Sequence, residues 1–188
     1  KFELKTHYKK ILADTISPVS VYMKVRDKFP NSILLESSDY HGNDNSFSYI
    51  CCNPIASIKV ENSIVTKTYP DHSIDSSAVP ADKVTMEINA FTTQFETQKD
   101  TSFKFINNGM FGFTAYDAVK YFEDITISKK NNSIVIPEMY YAVYQNIIAI
   151  NHFKNEAYIF AHCYESESNI DAIDHMIKVQ NYSSYDFK

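Results

Sequence analysis

The stretch EMYYAVYQNIIAINHFKNEAYIFAHCY, residues 138–164, decides the fold. Two runs rich in aromatic and β-branched residues, 138–151 and 157–164, flank the short polar segment 152–156. This pattern predicts two antiparallel strands joined in a hairpin. Polar residues interrupt the apolar part of the first run, which is far too short to cross a bilayer, so no membrane span is expected.

A second hairpin lies upstream of the first. Residues 55–60 and 64–69 are β-type runs separated by Glu61-Asn62-Ser63, which predicts another antiparallel pair. Shorter strands are expected at 33–35 and 47–52, before this hairpin. Residues 70–80 are rich in Ser, Asp and Pro and are predicted to form a surface loop.

Three segments carry helix signals. Ser17 can cap the free amides of a helix that begins at Pro18, and the pair predicts a helix ending near residue 29. Ser168 and Asp171 form a capping-box pattern ahead of a helix that closes the chain. A third helix is expected over about 81–97, because apolar residues recur there at helical spacing, at Val84, Ile88, Phe91 and Phe95.

Two of the three glycines lie in one predicted strand, at Gly109 and Gly112. Glycine in a strand marks a bulge or a close approach of another backbone. Residues 118–123 are expected to form a short helix after this strand. The order of elements is neither a βαβ alternation nor a repeat of fixed period. We therefore predict an α+β fold of antiparallel sheets with packed helices.

Length and charge narrow the class of protein. A chain of 188 residues buries about 70% of its unfolded surface, enough for one sizeable core or two small lobes sharing one. The net charge of -5 gives no positive field to gather a phosphate backbone, so nucleic acid is not an expected partner. Three Cys, two of them adjacent, form neither a disulfide framework nor a CxxC zinc site, which favours a cytoplasmic protein.

Catalytic and metal-binding motifs are not evident. The six His lack the i, i+4 spacing of a helical zinc site, and the glycines lack a P-loop Lys or a dinucleotide fingerprint. Cys51 and Cys52 point to opposite faces of an extended chain, so at least one is expected to be an inert core thiol. No catalytic residue, metal ligand or cofactor is assigned to this chain.

Two acidic patterns have both a chemical and a purely structural interpretation. Asp117, Glu123 and Asp124 could serve acid-base or Mg²⁺ chemistry, or lie on a solvated face at a helix start. Glu36 and Ser37, at the end of the strand 33–35, could bind the ammonium and a polar edge of a small amino-acid ligand. From spacing alone, a solvated strand end remains the alternative.

Taken in order, several motifs resemble the N-terminal domain of anthranilate synthase component I, a chorismate-utilising family. The resemblance covers about residues 12–164. It rests on the motifs DTISPVSVY (14–22), LLES (34–37), FSYI (47–50), Asn53-Pro54, GMFGFTAYD (109–117), Glu123 and Pro137-Glu138.

The resemblance implies both a function and a division of labour. The family is a lyase that converts chorismate to anthranilate and pyruvate in tryptophan biosynthesis, using ammonia from a glutamine amidotransferase subunit, component II. Its chorismate pocket, Mg²⁺ ligands and acid-base residues belong to a C-terminal domain that lies outside this chain. Residues 1–188 are then expected to form a single regulatory and scaffolding domain without lyase activity of its own.

The resemblance also implies a regulatory ligand. In the family the LLES strand lines the tryptophan feedback site, so Glu36 and Ser37 are the residues carried over as tryptophan-binding. Many relatives place a basic residue just before the aromatic-Ser step, where this chain has Asn45-Ser46. Its absence removes a charge-assisted bond worth about 1.5–3 kcal/mol. The ligand carboxylate would then need backbone amides or the other domain.

Two alternatives remain. The large subunit of aminodeoxychorismate synthase, from folate synthesis, has a similar N-terminal domain. A stand-alone small-molecule-binding module would need no catalytic partner at all, and it predicts a natural stop near Lys188.

Overall fold

The computed structural model describes residues 1–36, 46–97, 102–125 and 136–179. Strands and helices follow in the order β1 Phe2–Leu12, α1 Pro18–Arg26, β2 Ile33–Glu36, β3 Phe47–Glu61, β4 Ile64–Thr68, β5 Ile74–Ala78, α2 Val84–Thr92, β6 Phe95–Thr97, β7 Met110–Thr114, β8 Met139–Asn151, β9 Glu156–Cys163 and α3 Ile170–Lys178. Short 3-10 helices at Ala81–Lys83 and Tyr116–Tyr121 precede α2 and follow β7. Every strand pair with a defined register in these ranges is antiparallel, which confirms the predicted α+β class.

The chain divides into two compact units. Unit 1 contains Lys1–Glu3, Ile55–Glu96 and Met110–Val143, and unit 2 contains Leu4–Pro54, Thr97–Gly109 and Tyr144–Lys188. Strands β3 and β8 each contribute residues to both units. That residues 1–188 act as a single domain stays a prediction.

In unit 2, strands β2, β3, β8, β9 and β1 lie side by side in that order. Helix α1 begins as predicted, because the Ser17 hydroxyl accepts a hydrogen bond from the Ser20 amide at 3.1 Å. The buried faces of α1 and α3 pack on alternate residues of the strands, since side chains two apart share a face. The core consists of Ala13, Val21, Val25, Ile50, Cys52, Ile148, Ile150, Ala157, Ile159, Ala161, Cys163, Ile170, Ile173 and Ile177.

In unit 1, the predicted hairpin joins β3 to β4. Glu61 pairs with Ile64, and the two residues between them have positive φ, 51° at Asn62 and 63° at Ser63. A two-residue turn with both φ positive matches the right-handed twist of the strands. Helix α2 lies near β4, where Lys67 and Glu87 form an ion pair.

Three expected boundaries are wrong. The segments 47–52 and 55–60 belong to one strand, β3, which continues through Asn53 at a φ of 58°. Asn tolerates this left-handed conformation better than most residues do. Pro54 lies between the stretch of β3 that pairs with β2 and the stretch that pairs with β4, so those two ladders require no amide donor from it.

The predicted loop over 70–80 contains strand β5, whose five residues are all exposed. Because β5 pairs through its backbone with β4 and buries none of its residues, no apolar alternation marks it in the sequence.

The helix expected over 81–97 ends at Thr92, and Phe95 belongs to β6. The hydroxyl of Thr92 donates to the Ile88 carbonyl, and that of Thr93 donates to the Ala90 carbonyl, both at 2.8 Å. Such side-chain bonds compete with the helical backbone pattern. Phe95 still packs on Phe91, with ring centroids 5.0 Å apart.

Helix α3 forms where it is expected but lacks the predicted capping box. Its N-cap is Asn169, which makes no side-chain cap bond. The Asn169 amide group instead exchanges two hydrogen bonds with the side chain of Asn146 on β8, at 2.7 and 3.0 Å. The Ser168 hydroxyl still accepts a long hydrogen bond from the Ile170 amide, at 3.4 Å, so one local contact remains beside this tertiary one.

Candidate functional site

Glu36 is the last residue of β2, and its side chain is exposed. It pairs directly with Ser48 of β3 in the antiparallel register. Among the described residues, none forms a hydrogen bond or ion pair with the Glu36 carboxylate. Ser37, the second residue carried over from the resemblance, lies outside the described residues, as does Asn45.

Strand β2 is anchored from both sides. Leu34 pairs with Ile50 and packs against the core of unit 2. On the side toward α1, the Tyr22 hydroxyl donates to the Ser32 carbonyl at 3.4 Å, and the Ser32 hydroxyl donates to the Phe29 carbonyl at 2.6 Å. These contacts hold the beginning and the middle of β2, and Glu36 follows at its end.

A polar row follows the apolar part of this sheet face. Ser48 is 1% exposed, and its Oγ lies 2.7 Å from Nε2 of His152, just after β8. The His152 amide also donates to the Ser46 carbonyl at 3.1 Å. Glu36, Ser48 and His152 therefore lie next to one another across three neighbouring strands.

Sequence reasoning did not assign Ser48 or His152 to a site. Ser48 lies in the FSYI motif, and strand alternation would place it on the face of Ile50. His152 is the first residue of the polar segment 152–156, which the sequence predicts only as the connection of a hairpin. No local signal joins the two, because they are 104 residues apart in the chain.

The acidic residues after β7 belong to unit 1, whereas the row belongs to unit 2. Asp117, Glu123 and Asp124 are all exposed. Within the described ranges, no three His, Cys, Asp or Glu side chains are grouped so that they could hold a metal ion. The exposed positions fit the solvated interpretation of these acids.

Cys51 and Cys52 are both fully buried. Burial raises the pKa of the Cys51 thiol well above its usual range and that of Cys52 to about 12. A thiol that stays protonated is a poor nucleophile. The expectation of at least one inert core thiol is confirmed, and it extends to both residues.

His162 is a second buried histidine with a structural role. Its Nε2 lies 2.9 Å from the Asn107 carbonyl, to which it can only donate, so Nδ1 accepts from the Thr6 hydroxyl at 2.9 Å. Burial lowers the pKa of His162. The imidazole therefore fastens the segment around Asn107 to β9 in its neutral form.

Gly112 shows the close backbone approach that the sequence predicts. A Cβ at this position would lie 1.9 Å from the carbonyl oxygen of Tyr140 on the paired strand β8. No side chain larger than hydrogen fits there without a shift of the backbone.

Among helices in the described part of the chain, none has the length and apolar character needed to cross a membrane.

Known proteins that are similar to this chain include members of the family that the motifs indicate. No protein-family model matches the chain. It is 28% identical over 152 residues to anthranilate synthase component 1 of Lactococcus lactis, which covers 81% of this chain and 31% of that protein. The homologous protein of Thermus thermophilus is 24% identical over 159 residues, 84% of this chain and 32% of that protein. Aminodeoxychorismate synthase component 1 of Bacillus subtilis is 24% identical over 157 residues, 82% of this chain and 31% of that protein.

The chain spans about a third of the length of the curated relatives it matches. A crystal structure of anthranilate synthase component I from Streptococcus pneumoniae aligns with a TM-score of 0.47 and 23% identity, over 90% of this chain and 35% of that one. The resemblance that the motifs indicate is confirmed by the named sequence relatives.

Proposed function

We propose that this chain is the N-terminal regulatory and scaffolding portion of an anthranilate synthase component I. The observation that carries the proposal is the 28% identity to such a protein over 81% of the chain. The ordered motifs along residues 12–164 support the same conclusion. Anthranilate synthase is a lyase that converts chorismate and ammonia to anthranilate, pyruvate and water.

In this proposal the bond-breaking groups lie in a further portion of the polypeptide. The relatives are about three times as long as the segment matched here, which leaves room for a chorismate pocket and its Mg²⁺ ligands. The partner is a glutamine amidotransferase subunit that supplies ammonia, and the compartment is the cytoplasm. The 188 residues alone are inactive.

The regulatory ligand proposed is L-tryptophan, bound in part by Glu36 and Ser37. An exposed carboxylate without a partner among the described residues is an acceptor for a ligand ammonium. Binding that favours one domain arrangement lowers activity only if the ligand contacts differ between two states. Linkage makes this coupling reciprocal, so chorismate would weaken tryptophan binding.

The activity test compares this chain with the same chain extended by the catalytic portion. Anthranilate is detected by its fluorescence in the presence of chorismate, Mg²⁺ and ammonium. We expect product from the extended protein and none from residues 1–188. Anthranilate made by the 188 residues alone would contradict the proposed division of labour.

The regulatory test uses Glu36→Ala and Ser37→Phe in the extended protein. We expect both variants to lose inhibition by tryptophan and to keep catalysis. Glu3→Ala is the matched control, because Glu3 is also an exposed strand carboxylate and lies in β1. Inhibition that is unchanged in both variants would remove these residues from the site.

A second candidate function is aminodeoxychorismate synthesis. It is favoured by the 24% identity to the Bacillus subtilis protein over 82% of the chain. Both products keep the ring of chorismate, but only anthranilate formation releases pyruvate at this step. Measuring pyruvate together with the aromatic product separates the two enzymes.

A further inference from the structure

The polar row at the end of β2 offers complementary groups on one sheet face. Glu36 and Ser48 are direct partners in an antiparallel pair, so their Cβ atoms lie about 4.5–5.5 Å apart. Ser48 Oγ is in turn 2.7 Å from His152 Nε2. A carboxylate, a hydroxyl and an imidazole therefore follow one another across β2, β3 and the end of β8.

The Ser48–His152 pair presents a donor to a ligand in one of its two hydrogen-bond arrangements. If the Ser48 hydroxyl donates to Nε2, the neutral imidazole carries its proton on Nδ1, which is then a donor. If Nε2 donates to Ser48, the remaining hydrogen is on a hydroxyl that is 1% exposed, so only the first arrangement presents a donor to a ligand. No described residue makes a hydrogen bond to Nδ1. One end of the row thus accepts hydrogen bonds, and the other end donates.

The position of the row within the face also matters. The preceding positions on the same face, Leu34 and Ile50, pack into the apolar core. The sheet changes from apolar to polar at Glu36 and Ser48, and His152 is exposed at the rim. The row therefore lies at the rim of the apolar core of unit 2.

We propose that His152, oriented by its hydrogen bond to the buried Ser48, binds the carboxylate of an α-amino acid whose ammonium is bound by Glu36. A zwitterionic amino acid presents a cation and an anion on neighbouring atoms, and this row presents an acceptor and a donor in matching order. His152 then supplies the donor that the sequence lacks at Asn45-Ser46. This inference rests on the proposed function, because that function names the amino acid.

The experiment measures ligand binding to the complete polypeptide, catalytic portion included, by isothermal titration calorimetry. Three probes separate the contacts: L-tryptophan, tryptamine, which lacks the carboxylate, and indole-3-propionate, which lacks the ammonium. We expect His152→Ala to weaken L-tryptophan about tenfold or more, the ratio for one lost charge-assisted bond of about 1.5 kcal/mol. Tryptamine should bind this variant as it binds the wild type.

Two further variants complete the set. Glu36→Gln should weaken L-tryptophan and tryptamine but leave indole-3-propionate unchanged, the reverse of the His152→Ala pattern. Ser48→Ala should weaken L-tryptophan as His152→Ala does, since it removes the other half of the pair. His175→Ala is the control, because His175 is exposed on α3, an element that contributes no residue to the row.

The possible outcomes separate this inference from the function on which it rests. Wild-type protein that binds L-tryptophan together with a His152→Ala variant of equal affinity would overturn the inference and leave the proposed regulation intact. Loss of all three probes on His152→Ala would equally overturn it, since that result reports a damaged fold. Wild-type protein that makes anthranilate but does not bind L-tryptophan would reject the regulatory proposal itself, and this inference with it.

Discussion

Replacing Glu138 by Gln should destabilise unit 1 through one compact hydrogen-bond cluster. The Glu138 carboxylate accepts from Lys120 Nζ, from the Tyr121 hydroxyl and from the Asn62 amide, the last at 3.1 Å. The Tyr121 hydroxyl in turn accepts from the Ser63 amide at 3.1 Å. The cluster therefore fastens the β3–β4 turn to the 3-10 helix after β7.

The expected loss of stability depends on how far the Glu138 and Lys120 side chains are buried. The Glu138 side chain is 14% exposed and that of Lys120 is 29% exposed, so solvent compensates only partly for a lost partner. Gln keeps the shape and one acceptor oxygen but removes the negative charge from several bonds. Hydrogen bonds to charged groups contribute about 1.5–3 kcal/mol each and are not additive within a cluster. We expect a loss of about 2–3 kcal/mol in the free energy of unfolding.

The pH dependence of the free energy of unfolding gives an independent check of this cluster. Burial alone would raise the pKa of Glu138, but the hydrogen bonds from Lys120, Tyr121 and the Asn62 amide, together with the charge of Lys120, outweigh it, so the pKa lies below its usual range. A carboxyl with a lowered pKa contributes stability above its unfolded pKa, about 4.3, and loses that contribution as the pH falls through the lowered value. The deficit of Glu138→Gln should therefore be full at pH 7 and shrink below about pH 4.

Urea unfolding followed by circular dichroism measures both effects. The matched control is Glu96→Gln, which breaks the exposed ion pair with Lys1 and should scarcely move the unfolding midpoint. Combining Glu138→Gln with Tyr121→Phe should cost less than the sum of the single changes. A Glu138→Gln midpoint equal to that of the wild type at pH 7, or a deficit that does not change with pH, would refute the argument.

Three further predictions concern positions that are buried or closely packed. Gly112→Ala should lower the unfolding midpoint strongly, because the new Cβ would lie 1.9 Å from the Tyr140 carbonyl oxygen; an unchanged midpoint in urea would contradict this contact. Cys51 and Cys52 should react with a thiol reagent such as DTNB only after unfolding, since burial raises the pKa of both thiols; rapid labelling of the native protein would disprove their burial. His162→Gln should flatten the pH dependence of stability below about pH 6.5, because a histidine with a lowered pKa contributes stability that is lost on acidification; equal slopes in variant and wild type would disprove it.

Local sequence patterns predicted the strands whose side chains alternate between apolar and polar, and the helix whose first residues include a cap. The two hairpins, the start of α1 at Ser17-Pro18 and the close approach at Gly112 all match the structure. The hairpins and the helix start depend on residues within a few positions of one another, so short-range sterics and hydrogen bonding are enough to determine them. Gly112 differs, because the backbone that approaches it belongs to Tyr140 on another strand, and only the missing side chain marks the position in the sequence.

The strands that were missed have few buried side chains. β1 buries Leu4 but leaves most of its residues exposed or half-buried, and β5 buries none. Both are strands because a neighbouring backbone pairs with them, β9 in one case and β4 in the other. Backbone pairing leaves no mark on side-chain composition, so a pattern of apolar residues cannot predict it.

The candidate site was likewise predicted only in part from the sequence. Glu36 was identified from its own motif, and its place at the end of β2 follows from the short apolar strand before it. Its neighbour Ser48 and the imidazole of His152 became part of the site only when β2, β3 and β8 aligned. A contact over 104 residues depends on strand register, and register is set by the packing of the whole sheet face rather than by either residue.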